Sequence, residues 1–252
     1  MMHASRDRVP ADASHVIAVL RGVERVTASP GAPALVDLEV PSAFVTALVD
    51  AGSGAAARLG RLAAGLEPAE PGRVAIGGVD LTSVPRPAIG SFLRGNVGYL
   101  FEDLRLHPDA TVDANVELPF ALDGRTPTEG ERAELDDLCA SLALGAVRRA
   151  PVGELPVALQ LRVAIARAFA VRPRFVFAHE PARSLDERDR RVSLALLRTL
   201  AHERGTGVLV ATSDPVVASL ADRQIVVSRT GGVVEETRFA PEAHLRSVLA
   251  AA

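Results

Sequence analysis

Three polar segments each follow a run of apolar residues: Ala51-Gly52-Ser53-Gly54 after FVTALVD, His179-Glu180 after RFVFA, and Ser213-Asp214 after GVLVAT. Together they offer carboxylates, an imidazole, hydroxyls and a glycine-rich stretch free to turn sharply. If these runs are neighbouring strands, the polar groups converge outside their carboxyl ends, where open α/β sheets bind ligands. Other residues with chemical potential stand apart. Cys139 lies on an apolar helical face and reads as a core residue rather than a nucleophile. His107 and His202 are isolated in the sequence, which argues against metal ligation. Arg148-Arg149 and Arg190-Arg191 are interleaved with Asp and Glu and read as solvated helix faces rather than nucleic-acid contacts.

The elements that would position the three segments follow from hydrophobic periodicity. Between residues 16 and 49 the Val-rich runs VIAVL, ALVDLEV and FVTALV, broken by turn signals such as Ser29-Pro30-Gly31, predict strands. AAARLGRLAAG, from Ala55 to Gly65, has helix propensity and apolar spacing of three and four. GRVAIGGVDL predicts a hairpin around Gly77-Gly78, and GNVGYLF a further strand. Between Asp109 and Arg149 the chain turns acidic and Leu/Ala-rich, as in EGERAELDDLCASLAL, which predicts an inserted helical subdomain. LQLRVAIARAFA then reads as a helix carrying Arg162 and Arg167, RFVFAHE as a buried strand, DERDRRVSLALLRTLAHERG as a helix and GVLVATSD as another buried strand. This alternation predicts a mostly parallel sheet with helices on its faces.

Composition narrows the function. The 252 residues are 48% hydrophobic and 23% charged, which excludes a disordered or collagen-like chain. A net charge of -3 argues against sequence-independent nucleic-acid binding. A single cysteine excludes an internal disulfide framework. The apolar runs are too short to span a membrane, and the N-terminus has no apolar core after its charges, so a cytoplasmic chain is expected. All 28 residues of the Lys+Arg total are arginine. The two are not interchangeable at a phosphate site.

LEPAEPGRVAIGGVDLT, VGYLFEDLRLHPDATVDANVELP, LRVAIARAFAVRPRFVFAHEPARSLD and VATSDPVVASLADRQIVV, in this order, resemble the nucleotide-binding subunit of ATP-binding cassette (ABC) transporters. The nearest branch resembles that of macrolide exporters, lipoprotein-releasing complexes and the cell-division permease pair. The resemblance implies an α/β fold: a P-loop NTPase-like (RecA-like) core with an N-terminal antiparallel β subdomain and an inserted helical subdomain. It divides one nucleotide-binding domain over 1–252 into a β subdomain and first core part (1–101), a helical subdomain (102–155), a second core part (156–235) and a tail (236–252).

The same resemblance locates the family's catalytic motifs and the departures from them. In the phosphate loop GxxxxGK[ST], backbone N–H groups cradle phosphates, the Lys neutralises them and the hydroxyl holds magnesium. Here it maps onto DAGSGAAAR, with Asp50 at the first Gly, Ala55 at the last, Ala56 at the Lys and Ala57 at the Ser, leaving Gly52, Ser53, Gly54 and Arg58 as the remaining loop groups. Asp50 repels a triphosphate. Arg58 either replaces the lost cation or pairs with Asp50 or solvent. Thr27 stands where adenine is stacked on an aromatic ring, Glu102 at the magnesium-sampling Gln, and His179 at the Walker B Asp, an imidazole poorly suited to magnesium. Glu180 keeps the general-base position, and Ser213, between Thr212 and Asp214, replaces the switch His. The signature LSGGQ becomes Leu155-Pro156-Val157-Ala158-Leu159, which loses an amide donor and crowds a phosphate. Ser184-Leu185-Asp186 keeps the D-loop character.

What the resemblance implies is a catalytically degenerate cassette that binds ATP weakly or not at all, with magnesium doubtful and no other metal. It is expected to form a homodimer or a heterodimer with another cassette and to receive a permease's coupling helix near residues 102–119. Nucleic acid is not an expected partner. A working ATPase rebuilt around Arg58 and Glu102, and a soluble nucleotide-binding pseudoenzyme without a permease, are the alternative readings.

Overall fold

The computed structural model describes residues 16–24, 35–69, 72–228 and 233–238. Its elements form two sheets. β1 (Val16–Glu24), β2 (Leu35–Pro41), β4 (Arg73–Ile76) and β5 (Val79–Asp80) make an antiparallel sheet in the order β2-β1-β4-β5. The larger sheet has the order β10-β9-β3-β8-β7-β6, built from β3 (Val45–Val49), β6 (Val97–Leu100), β7 (Phe175–His179), β8 (Gly207–Thr212), β9 (Arg223–Val227) and β10 (Val233–Arg238). All its neighbours run parallel except the antiparallel β9–β10 pair. The expected α/β architecture with an antiparallel β portion is therefore present, as is the hairpin around Gly77-Gly78.

The central strands read as nearly unbroken apolar runs because both of their faces are covered. Every residue of β3 and β8 is buried. Side chains alternate between faces with period two. On one face Ala47, Val176, Val208 and Val210 join a core that includes helix α6 (Val157–Phe169) and α7 (Glu187–Arg204). On the other, Leu48, Phe177, Leu209 and Ala211 pack with α1 (Ala55–Ala63) and the antiparallel sheet. The first face also carries α3 (Val112–Val116), α4 (Leu118–Leu122) and α5 (Glu129–Ser141).

Local chemistry sets the helix boundaries. The Asp186 carboxylate accepts from Asp189 N–H and starts α7, and Gly205, at φ 68°, ends it. Thr128 and Glu131 form a reciprocal capping box on α5. The predicted strand GNVGYLF starts two residues late, at Val97, because Gly95 and Asn96 finish α2 (Arg86–Asn96), where Asn96 Nδ2 donates to Phe92 O at 2.9 Å. Its apolar residues Ile89, Phe92 and Leu93 have helical spacing but are only half-buried, and Gly90 and Gly95 weaken its helix propensity, so the sequence announces it faintly. The expected turn at Ser29-Pro30-Gly31 lies outside the described residues. Among the described residues no helix is long and apolar enough to cross a membrane.

Two glycines let helices approach the sheet from opposite sides. A Cβ at Gly60 in α1 would lie 2.1 Å from the Phe177 ring, and one at Gly98 in β6 would lie 2.1 Å from the Ala168 carbonyl oxygen of α6. The second contact is with backbone, which cannot rotate away. Gly98→Ala is therefore expected to destabilise the chain by about 1–3 kcal/mol, read as a lower urea midpoint with unchanged m-value. Gly95→Ala, where a Cβ meets nothing within 4 Å, is expected to leave the midpoint unchanged or raise it slightly.

Candidate functional site

The ends of β3, β7 and β8 lie side by side, so the three polar segments meet as the sequence implies. They line a cavity of about 210 Å³ to which Asp50, Gly52 and Ala56, His179 and Glu180, and Thr212 and Ser213 all contribute. This is smaller than the roughly 300–1,000 Å³ usual for small-molecule pockets. Ala57 and the Glu102–Arg183 pair complete its rim. Ser184 lines an adjoining surface cavity of about 500 Å³ with Glu102 and His179.

Asp50, the residue after β3, is 3% exposed. Its Oδ1 accepts from Gly52 N at 2.9 Å, and its Oδ2 accepts from the Ser53 hydroxyl at 2.9 Å and from Ala56 N at 3.0 Å. Ala55 N in turn donates to Ser53 Oγ at 3.3 Å. The turn depends on Gly52 and Gly54 at φ 81° and 80°, a left-handed conformation that disfavours any side chain. Ala55, Ala56 and Ala57 are buried against the sheet in the first turn of α1. Arg58 does not pair with Asp50. Its Nε lies 3.7 Å from Glu67, which Arg61 also contacts at 2.5 Å.

Glu180 is similarly enclosed. It sits at φ 42°, a strained conformation for a side-chain-bearing residue. Its Oε2 accepts from the Thr212 hydroxyl at 2.9 Å, and its Oε1 from Ser213 N and the Ser213 hydroxyl, both at 2.7 Å. Asp50 N donates to Thr212 O at 3.3 Å and Glu180 N to Ala211 O at 2.9 Å, so one hydrogen-bonded network joins the ends of all three strands. Glu102 accepts from Arg183 at 2.9 Å, and His179 is half-buried beside it.

The other expected site residues are less central. Leu155 precedes α6, Pro156 is its N-cap and Val157, exposed, its first residue; with Ala158 and Leu159 they stand outside the cavity lining. Leu185 is buried, and Asp186 is occupied in capping α7. Thr27 lies outside the described residues. Among the described residues no group of three or more His, Cys, Asp or Glu is placed to hold a metal ion.

Two residues that sequence reasoning gave no role organise the run after β6. Arg167 of α6 donates to Leu104 O and Arg105 O, each at 2.5 Å, gripping two residues at φ 55° and 46°. Asn115, fully buried in α3, accepts from His107 N at 2.8 Å and donates to His107 O at 3.0 Å and Thr111 O at 3.1 Å. An amide between the apolar residues Ala114 and Val116 of VDANV was the available signal, since such a group, once buried, must find partners.

Three sequence readings need correction. His202 is not isolated: its Nε2 lies 2.8 Å from Asp222, which is 2% exposed and also meets Arg198 at 2.6 Å. Arg190 and Arg148 are not simply solvated: Arg190 pairs with Asp214, and Arg148 bridges Asp113 and Asp136. In each case the chain path brings a distant carboxylate to the imidazole or guanidinium, which local charge alternation does not reveal.

The chain matches the family model described as "ABC transporter" over residues 36–183. It is 40% identical over 204 residues to the Fe(3+) ions import ATP-binding protein FbpC of Streptomyces avermitilis, covering 79% of this chain and 56% of that protein, a little over half its length. It is 32% identical over 219 residues to the lipoprotein-releasing system ATP-binding protein LolD 2 of Caulobacter vibrioides, covering 85% of this chain and 95% of that one. The dimeric structure of MJ0796, a bacterial ABC transporter cassette, superposes with a TM-score of 0.72 at 26% identity, covering 89% of this chain and 99% of the other.

Cys139 is buried in α5, and burial pushes its thiol up to about 11 even though the charge of Arg148 pulls the other way. The thiolate is the reactive form, and a raised value leaves the thiol neutral at every pH well below 11. Iodoacetamide at pH 8 is expected to leave the folded chain unmodified and to alkylate it once in urea, as mass spectrometry would show. Rapid labelling of the folded chain would contradict the buried placement.

Proposed function

We propose, from the premise that the chain belongs to the ABC transporter family as a nucleotide-binding subunit, that it is a non-hydrolysing member acting as a structural or regulatory partner of a membrane permease. The observation that carries this is the internal satisfaction of the cavity. The amides of Gly52 and Ala56 are taken by Asp50, and both oxygens of Glu180 are taken by Thr212 and Ser213. Phosphoryl transfer rests on positioning and on cations that meet developing negative charge. The site instead presents Asp50, Glu102 and Glu180 with Arg183, already paired, and the chain has no lysine. These residues do not fit a magnesium-bound triphosphate, and no catalytic step is derived through one.

Losing a single preorganised donor typically lowers turnover by about a hundred- to a thousandfold. Ala56, Ala57, His179, Ser213 and the Leu155–Leu159 run together are expected to remove turnover. Because Val157 and its neighbours are also altered, a dimer partner's site would lack its signature contacts too. The run from Glu102 to Pro119, held by Arg167 and Asn115, is the surface we assign to the permease, which would place the chain at the inner face of the membrane. The relatives are named for iron import and for lipoprotein release, so no cargo is assigned.

A working ATPase rebuilt around Arg58 and Glu102 is the second reading. Both groups are already engaged, Arg58 near Glu67 and Glu102 with Arg183, which weighs against it.

The purified chain is expected to show no magnesium-dependent ATP turnover above background, with an intact cassette as positive control; turnover that Glu180→Gln abolishes overturns the reading. The combined change Asp50→Gly, Ala55→Gly, Ala56→Lys, Ala57→Ser is expected to create saturable ATP binding in an equilibrium titration where the parent shows none at millimolar ATP.

A further inference from the structure

We propose that Asp50 is the chain's own resident anion, a carboxylate built into the turn before α1 that holds it in one conformation and shuts out an external anion. This deepens the non-hydrolysing reading by naming what keeps the site closed.

A carboxylate that is 3% exposed requires compensation for lost hydration. Buried acids usually find it in a cation. Among the described residues no arginine forms an ion pair with Asp50, and Arg58, one turn into the helix, lies instead against Glu67. Among the described residues the charge is met by neutral donors: two backbone N–H groups, at Gly52 and Ala56, and one hydroxyl, at Ser53. Backbone amides at a helix N-terminus, with the positive end of the helix dipole behind them, are the partners an anionic oxygen uses. Asp50 is tethered at the preceding strand end, so its local concentration there exceeds any free anion's.

The occupation reaches beyond the turn. Asp50 N donates to Thr212 O, and the Thr212 hydroxyl donates to Glu180, so one residue connects α1 to the ends of β3, β7 and β8. In this arrangement the strand ends are linked without a ligand between them.

The test uses the full chain, its Asp50→Asn variant and inorganic pyrophosphate as the probe. The asparagine keeps the shape but loses the charge and turns an N–H₂ group toward donors. Amide hydrogen exchange at Gly52 and Ala56 is expected to be slow in the parent and about tenfold faster or more in the variant. Millimolar pyrophosphate is expected to restore protection in the variant and to leave the parent unchanged. Equal protection of both amides in parent and variant without pyrophosphate, pyrophosphate protecting the parent as strongly as the variant, or no response of the variant to it would each overturn the proposal. If Asp50→Asn does not fold, Ser53→Ala removes one of the three contacts but keeps the charge: exchange at Gly52 and Ala56 is expected to quicken with no response to pyrophosphate, and unchanged exchange or protection by pyrophosphate overturns the proposal. The exchange data bear on the resident anion alone, whereas ATP turnover by the parent bears on the non-hydrolysing reading alone.

Discussion

A carboxylate buried at the end of a strand must be surrounded by hydrogen-bond donors, and this chain satisfies that requirement twice within one cavity. Asp50 draws in the amides that open α1, and Glu180 draws in the hydroxyls and amide that close β8. Once those donors are committed, the conformations of their segments are largely determined. Gly52 and Gly54 must adopt left-handed backbone angles, Glu180 must accept a strained one, and Thr212 must face both acids through its carbonyl and its hydroxyl. A partly satisfied polar network in a buried place is costly, so such a site is held as a unit.

The scaffold beneath is the ordinary consequence of a parallel sheet covered on both faces. Alternate residues of β3, β7 and β8 feed two separate cores, one under α1 and the antiparallel sheet, the other under α6 and α7. Because parallel strands all end on the same edge, the three polar segments share that edge without any contact specifying it. The near approach of α1 at Gly60 and of α6 at Gly98 keeps both layers tight against the strands.

Much of this is legible in the sequence because burial writes itself as pattern. FVTALV and GVLVAT announce doubly covered strands by containing almost nothing polar, and AAARLGRLA announces its helix by spacing. The gathering of 50–54, 179–180 and 213–214 follows from strand polarity alone. Helix α2 leaves a fainter mark, since Ile89, Phe92 and Leu93 are only half-buried and Gly90 and Gly95 interrupt its propensity, so its last turn passes for the start of β6. Charge pairing is likewise hidden. Glu102 with Arg183, His202 with Asp222 and Arg190 with Asp214 join residues 20 to 81 positions apart, and only the folded path makes them neighbours. The decisive feature was partly visible: Asp50 is an obvious departure from the family motif, but repulsion, the inference sequence allows, concerns an absent ligand. Its inward hydrogen bonds depend on backbone angles that composition cannot supply.

Arg167 has a mechanical meaning beyond local order. It grips the two strained carbonyls after β6 from the last turn of α6, while the first residue of that helix is Val157, about 15 Å away along a rigid rod. A load applied to the outer loop has a short, stiff route along that rod, bypassing the cavity.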